Sequence, residues 1–431
     1  MVHRIFAPLC RRLPTLGLAG LLLGAGNAAT ATDVPPAREK QTIEFWTMQL
    51  SPHLDDYVLD VVRRFEQLHP GVRVKWVDIP WSEMERKVLT SVAAKAPPDV
   101  VNLNPQFSAK LAEFNALANP EDFMSPAQRQ AYLPAAWSAN RLAGRTFAVP
   151  WYLTTNITLV NTALLQKAAL PVPTRFQELL AMSEPLKQRT GAYAYFPALD
   201  GSAPLENLVA MGATLRAPSG CGAGFVNATG DAVFGFYRDM YAKGYTPRNV
   251  VTEGHRKGVE LFLSEQVAVI SSGMQFLGSI RSNNPAMYKT VDIAPQMGVP
   301  DAKPNIAAMN LAVLQSSPQK ALAFEFVAFV TAPAQQMAFA RRVPILPSTV
   351  SSYSDPYFTQ ADPQDLASRA RVLSAQQVLR GEVTVPPMRN YNKLKTHYAR
   401  NLQAVMLGSK SVPQALDDTG RAWSALMGCT P

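Results

Sequence analysis

Apolar and polar positions follow two periods along this chain, and the switches between them mark its elements. Thr42 to Met48 is an extended run carrying Ile43, Phe45 and Trp46, whereas from Leu54 the apolar residues Val58, Val61, Val62, Phe65 and Leu68 share one helical face. Pro70-Gly71 ends that helix. Val72, Val74 and Trp76 then alternate with Arg73 and Lys75 as a half-exposed strand. Ser82 and Glu85 have the spacing of a capping box before a helix bearing Val88, Leu89 and Val92. Pro97-Pro98-Asp99 breaks this helix ahead of a strand over 100–103, with Asp99 read as a turn or cap residue. Strand, helix, strand, helix, strand with short breakers predicts an α/β fold with right-handed crossovers and a parallel sheet covered on both faces. Ligands of such sheets sit beyond the carboxyl ends of the strands, here the loops after Met48, Leu103 and Val149.

The second half continues in the same manner. Helices are expected over 176–187, 233–243 and 259–264, then a strand over 267–272 that ends in Gly273-Met274-Gln275. A strand over 306–314 precedes an apolar helix over 321–329, Pro344, Pro347 and the serines of 348–354 mark a loop, and helices resume after Asp365 and after Tyr391. The stretch 145–170 stands out: an apolar extended run reaches Pro150-Trp151-Tyr152, resumes as a Thr-rich strand, and changes to helical spacing through Leu164, Leu165 and Leu170. A strand pair interrupted in this way suits a crossing between two lobes.

Composition narrows the class. A chain of 431 residues with 47% hydrophobic and 17% charged positions can fill two or three cores and leaves little for long disordered tails. Residues 1–31 have the layout of a secretory signal peptide, with Arg4, Arg11 and Arg12 before an apolar stretch and Ala29-Thr30-Ala31 at its end. The mature chain is therefore expected outside the cytoplasm, periplasmic or otherwise extracytoplasmic. Cys10 precedes the apolar stretch and leaves with it, so Cys221 and Cys429 remain, either paired or as separate packing residues; both readings stay open. The net charge of +9 comes without Lys/Arg runs, so no nucleic-acid partner is expected.

Several segments, in order, resemble the extracellular solute-binding proteins of carbohydrate ABC importers, the family of maltose-binding protein. They are Ile43-Glu44-Phe45-Trp46, the helix end 65–72, Ala96-Pro97-Pro98-Asp99-Val100-Val101, Pro150-Trp151-Tyr152, Asn161, the run 262–274, and Ala323-Phe324-Glu325-Phe326-Val327 before Arg342 to Pro347. Val160, Met274 and Ala307-Ala308 depart from the Tyr, Trp and Gly-Gly that are frequent at these places. The resemblance implies a two-lobed periplasmic-binding-protein-like fold with a hinge and an interlobe cleft. One lobe would comprise 33–150 plus 276–347 and the other 151–275 plus 348–431. It implies a monomer that captures a sugar without a cofactor and delivers it to a membrane permease with cytoplasmic ATPases.

A sugar has hydroxyls on its edges and a C–H-rich face, so its site needs amides or carboxylates for the first and an aromatic for the second. The resemblance places Met48, Gln49, Asn104, Gln106, Trp151, Tyr152, Thr154, Met274 and Gln275 at the family's cleft, with Arg389 and Tyr391 as weaker candidates from the C-terminal lobe. Trp151 is the expected stacking face; Trp46 and Trp76 read as packing, and Trp81 as either. Asn104 and Gln106 have a second reading, as caps of the following helix. A glycerol-phosphate-type polyol is the nearer alternative ligand, and Arg389 is the arginine that would meet its phosphate. A secreted glycosidase is the more distant one. Ser317-Pro-Gln-Lys320 lacks the companion motifs of penicillin-recognising enzymes, the histidines have no metal spacing, and the pairs Asp55-Asp56 and Asp417-Asp418 face apart on helices. No enzymatic activity and no metal are expected.

Overall fold

The computed structural model describes residues 41–429, so the expected leader at 1–31 lies outside the described residues. Its strands are β1 (Gln41–Met48), β2 (Val72–Ile79), β3 (Val100–Leu103), β4 (Arg141–Leu142), β5 (Arg145–Thr146), β6 (Val149–Asn161), β7 (Tyr193–Tyr195), β8 (Val267–Gly273), β9 (Val291–Ala294), β10 (Ile306–Val313) and β11 (Leu346–Pro347). A nine-stranded sheet runs β2-β1-β3-β10-β6-β8-β7, with β9 and β11 also paired to β6; β4 and β5 form a separate hairpin. The strand β6 joins the two halves. Its first part, Val149 to Thr155, pairs with β10 and β11, and its second part, Asn156 to Asn161, pairs with β8 and β9.

The expected parallel pairing holds for β1 with β2 and β3, and for β7 with β8. It fails where β10 and β6 enter, since both lie antiparallel to their neighbours. The physical reason is that these strands arrive from distant segments rather than through a single helical crossover.

Helix Asp55–Leu68 shows why the sequence folds locally as it does. Asp55 and Asp56 meet the positive end of the helix dipole, and Tyr57, Val58, Val61, Val62 and Phe65 are buried on one face. Phe326 of helix Lys320–Val330 packs edge-on to Phe45 and Phe65, with ring centres at 5.1 and 5.0 Å. The capping box expected at Ser82 and Glu85 is not formed: helix Trp81–Ala93 starts after Pro80, which places Ser82 inside the first turn, and Glu85 instead pairs with Lys110.

Two core clusters lie on opposite faces of the first half of the sheet, and a larger one fills the second half. Residues 276–294 belong with that second half. Helices Phe276–Asn283 and Pro285–Tyr288 bury Leu277, Ile280 and Met287 in its core, and β9 pairs with β6. The chain reaches the first half again only at β10, later than the crossing expected at 272–275, because the Gly273-Met274 breaker starts a helical excursion that returns to the same half. At the C-terminal end, helices Tyr391–Met406 and Val412–Met427 pack together, and the Trp423 indole N–H donates to the Leu394 carbonyl at 3.0 Å. A disulfide joins Cys221 to Cys429, across 208 residues. No helix among the described residues is long and apolar enough to cross a membrane.

Candidate functional site

The residues expected at the strand ends do not converge on one opening. Trp151 is 1% exposed, its ring set among Phe45, Tyr152 and Phe339 at 5.3 to 6.3 Å between ring centres. This corrects the expectation of a stacking face: β6 is covered at this point by the helix carrying Phe339, so the ring fills the core. Tyr152 is buried beside it, edge-on to Phe339, and burial raises its hydroxyl pKa. Met48 lies in the core cluster with Ile79 and Met84. Gln49 is exposed and has a left-handed backbone at φ 53°. Asn104 takes the second of its two readings, as its Oδ1 accepts the Phe107 backbone N–H at 2.8 Å and caps helix Pro105–Glu113.

The C-terminal candidates scatter as well. Met274 is buried and borders a cavity of about 180 Å³ with Arg342 and Tyr357, while Gln275 is exposed at the start of helix Phe276–Asn283. Arg389 borders a different cavity, of about 140 Å³, beside Glu113 and Arg145.

Of the expected residues, Thr154 borders a cavity whose lining also holds a residue that the sequence did not single out, Glu206. A cavity of about 280 Å³ lies against the middle of β6, bordered by Thr154 and Asn156, by Asp200, Ser202 and Glu206, and by His255, Ser271 and Asn305. Tyr195 and Phe196 supply its aromatic wall. Away from this lining, burial raises the pKa of Tyr391, the charge of Glu206 adds to the rise and the Gln106 side chain opposes it. Burial likewise pushes the Glu206 carboxyl up, with the Ser202 and Asn305 side chains opposing the shift.

Local structure explains how these groups are held. Asp200 precedes Gly201, whose φ of +60° permits the turn, and its Oδ1 accepts the His255 backbone N–H at 2.8 Å at the start of helix His255–Leu263. A Cβ on Gly254 would come within 2.3 Å of the Asp200 carboxylate, and one on Gly258 would touch the Phe196 ring at 3.0 Å, so both glycines let this helix approach the cavity wall. Asn305 is a junction. Its Oδ1 accepts from the Thr384 N–H and hydroxyl at 3.1 and 2.7 Å, and its carbonyl accepts from the Thr155 hydroxyl at 2.8 Å. With Oδ1 taken, its Nδ2 is the group left to face Glu206.

One arrangement here resembles an acyl-transfer triad and fails as one. The Ser272 hydroxyl lies 3.4 Å from the His255 Nε2, but Asp200 accepts from the His255 backbone instead of orienting its ring. Burial also lowers the His255 pKa, with Asp200 opposing. Among the described residues, no three His, Cys, Asp or Glu side chains are grouped to hold a metal ion.

A family model described as bacterial extracellular solute-binding protein matches residues 51–337. The chain belongs to this family of extracellular solute-binding proteins. A solved relative from Synechococcus sp. MITs9220, described as a candidate oligosaccharide periplasmic-binding protein in complex with zinc, is 35% identical, with a TM-score of 0.83 over 90% of this chain and 99% of that one. The sugar-binding protein MalE of Xanthomonas citri shares the two-lobed fold at 22% identity, with a TM-score of 0.74 over 90% and 98%. The diacetylchitobiose binding protein DasA of Streptomyces coelicolor is 21% identical over 78% of this chain and 81% of its own length. The match to binding proteins of Brucella abortus and Brucella suis is shorter, at 22% identity over 175 residues, so this family member spans about two fifths of the length of those relatives.

Proposed function

We propose that the protein is the extracytoplasmic substrate-binding component of an ABC importer and that its solute is a carbohydrate held in the cavity around Glu206. The observation that carries this reading is the chemistry of the lining. Two carboxylates, the amides of Asn156, Asn207 and Asn305 and several hydroxyls surround a space with Tyr195 and Phe196 on its wall, which suits the edges and the face of a sugar ring. The solved relative described for oligosaccharides supports the same class. A phosphate-bearing polyol is disfavoured: the lining has Asp200 and Glu206 but no lysine or arginine, and Arg389 borders another cavity.

In this reading the lobe boundaries fall within β6, between β9 and β10, and in the region 347–354. The second of them is later than the strand-end signal at 272–275 suggested. The protein acts as a monomer without a cofactor, binds without chemical turnover, and hands its solute to a membrane permease with cytoplasmic ATPases. Ligand that touches both lobes favours the closed arrangement by differential contact.

A thermal-shift panel of neutral sugars tests the proposal, since a ligand at 100 times its dissociation constant adds about 2.7 kcal/mol to the folded state. Small-angle scattering with the best ligand should show a smaller radius of gyration. A panel without a single shift would overturn the carbohydrate reading, and release of monosaccharide from a disaccharide would replace it with a hydrolytic one.

A further inference from the structure

The cavity around Glu206 is the first of three that follow one another. A second, of about 430 Å³, shares Glu206 and Asn305 with it. A third, of about 920 Å³, shares Lys303 and Thr384 with the second. Helix Ala203–Ala210 runs past all of them. Pro204, Leu205, Asn207 and Leu208 form its buried side. The opposite side is open: Ala203 borders the first cavity, Glu206 the first and second, Ala210 the second and Val209 the third. Positions 203, 206, 209 and 210 share one helical face, and eight residues at 1.5 Å each extend ~12 Å. Its alanines and valine leave the groove unobstructed on both sides of one carboxyl group.

We infer that the solute is an oligosaccharide lying along this helix, with Glu206 and Asn305 serving adjoining sugar units and the third cavity receiving the distal units. The inference rests on the carbohydrate reading above and deepens it. A further observation supports an extended ligand: the wall of the third cavity is held firmly. The loop Thr214 to Gly220 faces Pro134, Ala135 and Ser138 across it, closed by backbone hydrogen bonds from Gly224 to Leu215 at 3.0 Å and from Ala217 to Gly222 at 3.1 Å. The disulfide from Cys221 to Cys429 anchors the loop to the end of helix Val412–Met427. A fixed rim lowers the entropy cost of ordering a wall around the far end of a chain-like ligand. The third cavity has mainly Ala, Pro, Val and Leu on its lining; its one acid, Glu382, is paired with Lys303 at 2.9 Å, Arg216 is its other charged residue, and the remaining surface suits a neutral glycan.

Isothermal titration with two ladders tests this, malto-oligosaccharides and chito-oligosaccharides of one to six units, on the full chain with its disulfide intact. In the ladder that binds, affinity is expected to rise by about tenfold or more from the disaccharide to the tetrasaccharide, which is about 1.4 kcal/mol. Val209→Trp and Ala135→Trp, which fill the third cavity from opposite walls, should each flatten that rise, and the joint change Cys221→Ser with Cys429→Ser should reduce it. Longer chains that bind no better than the disaccharide, or a rise that survives both tryptophans, would overturn the inference while leaving carbohydrate binding in place. Failure of both ladders and of the neutral-sugar panel would sink the carbohydrate reading, and this inference with it.

Discussion

The strand segment Pro150 to Leu153 and the helix Ala203–Ala210 are opposites in composition and in exposure. The first carries two large rings and is closed, since both rings are buried against Phe339. The second has no ring, and its open face borders three cavities. Large rings bury the most area and are the natural filling of a seam between sheet and helices. A groove for a ligand needs small side chains that leave space and a few polar groups placed within it. Aromatic richness at the middle of β6 therefore marks how tightly that seam is packed, and the proposed binding chemistry sits on the plainer element beside it.

The sharpest way to break this contrast is Trp151→Ala. The substitution should destabilise the apo protein by about 3–5 kcal/mol through cavity formation, read by urea denaturation. Unchanged stability with lost sugar affinity would restore the ring to the ligand.

Glu206→Gln tests the other side of the comparison. It keeps the shape and removes the charge, so affinity for the best sugar should fall by about tenfold or more in calorimetry. The same variant gives a pH test. The native carboxyl binds its proton more tightly than the unfolded one. The stability it contributes is therefore present below the unfolded pKa, about 4.3, and is lost as pH rises through the raised native value. Denaturation from pH 4 to 8 should show this decline in the parent and not in Glu206→Gln; a parent that gains stability more steeply than the variant over that range would contradict the assignment.

Smaller effects sharpen the boundary of the site. Asn104→Ala should cost about 1 kcal/mol of stability from the lost cap, with sugar affinity nearly unchanged. Arg389→Ala, on an exposed residue at a separate cavity, should stay within about 0.5 kcal/mol in stability and leave binding untouched. A large loss of affinity in either variant would extend the site toward the first half of the sheet.

Much of the fold was legible because periodicity is a local signal. The alternation in β1 and β2 and the spacing of Val58, Val61, Val62 and Phe65 recur as buried faces. The antiparallel entry of β10 and the late return after β9 were not legible, since strand direction depends on partners far away in sequence. On the lining of the candidate site, Thr154 could be reached from the strand signal. Glu206 could not. Its helix offers little periodic signal beyond Leu205 and Leu208, and its place in the proposed site depends on Asn305, nearly one hundred positions away. Trp151 misled because a ring beside Pro150 reads the same in sequence whether it faces solvent or a helix.

The single strand common to both halves of the sheet has a consequence for how this chain tolerates change in length. β6 has 13 residues, and its register is fixed at one end by β10 and β11 and at the other by β8 and β9. Side chains alternate along a strand, so one residue added or removed between Leu153 and Asn156 would turn every inward position of one half outward. Insertion and deletion at the middle of β6 are therefore excluded more strictly than substitution. Changes in length should instead collect in loops such as 214–220, where they would alter which solutes fit without disturbing the sheet.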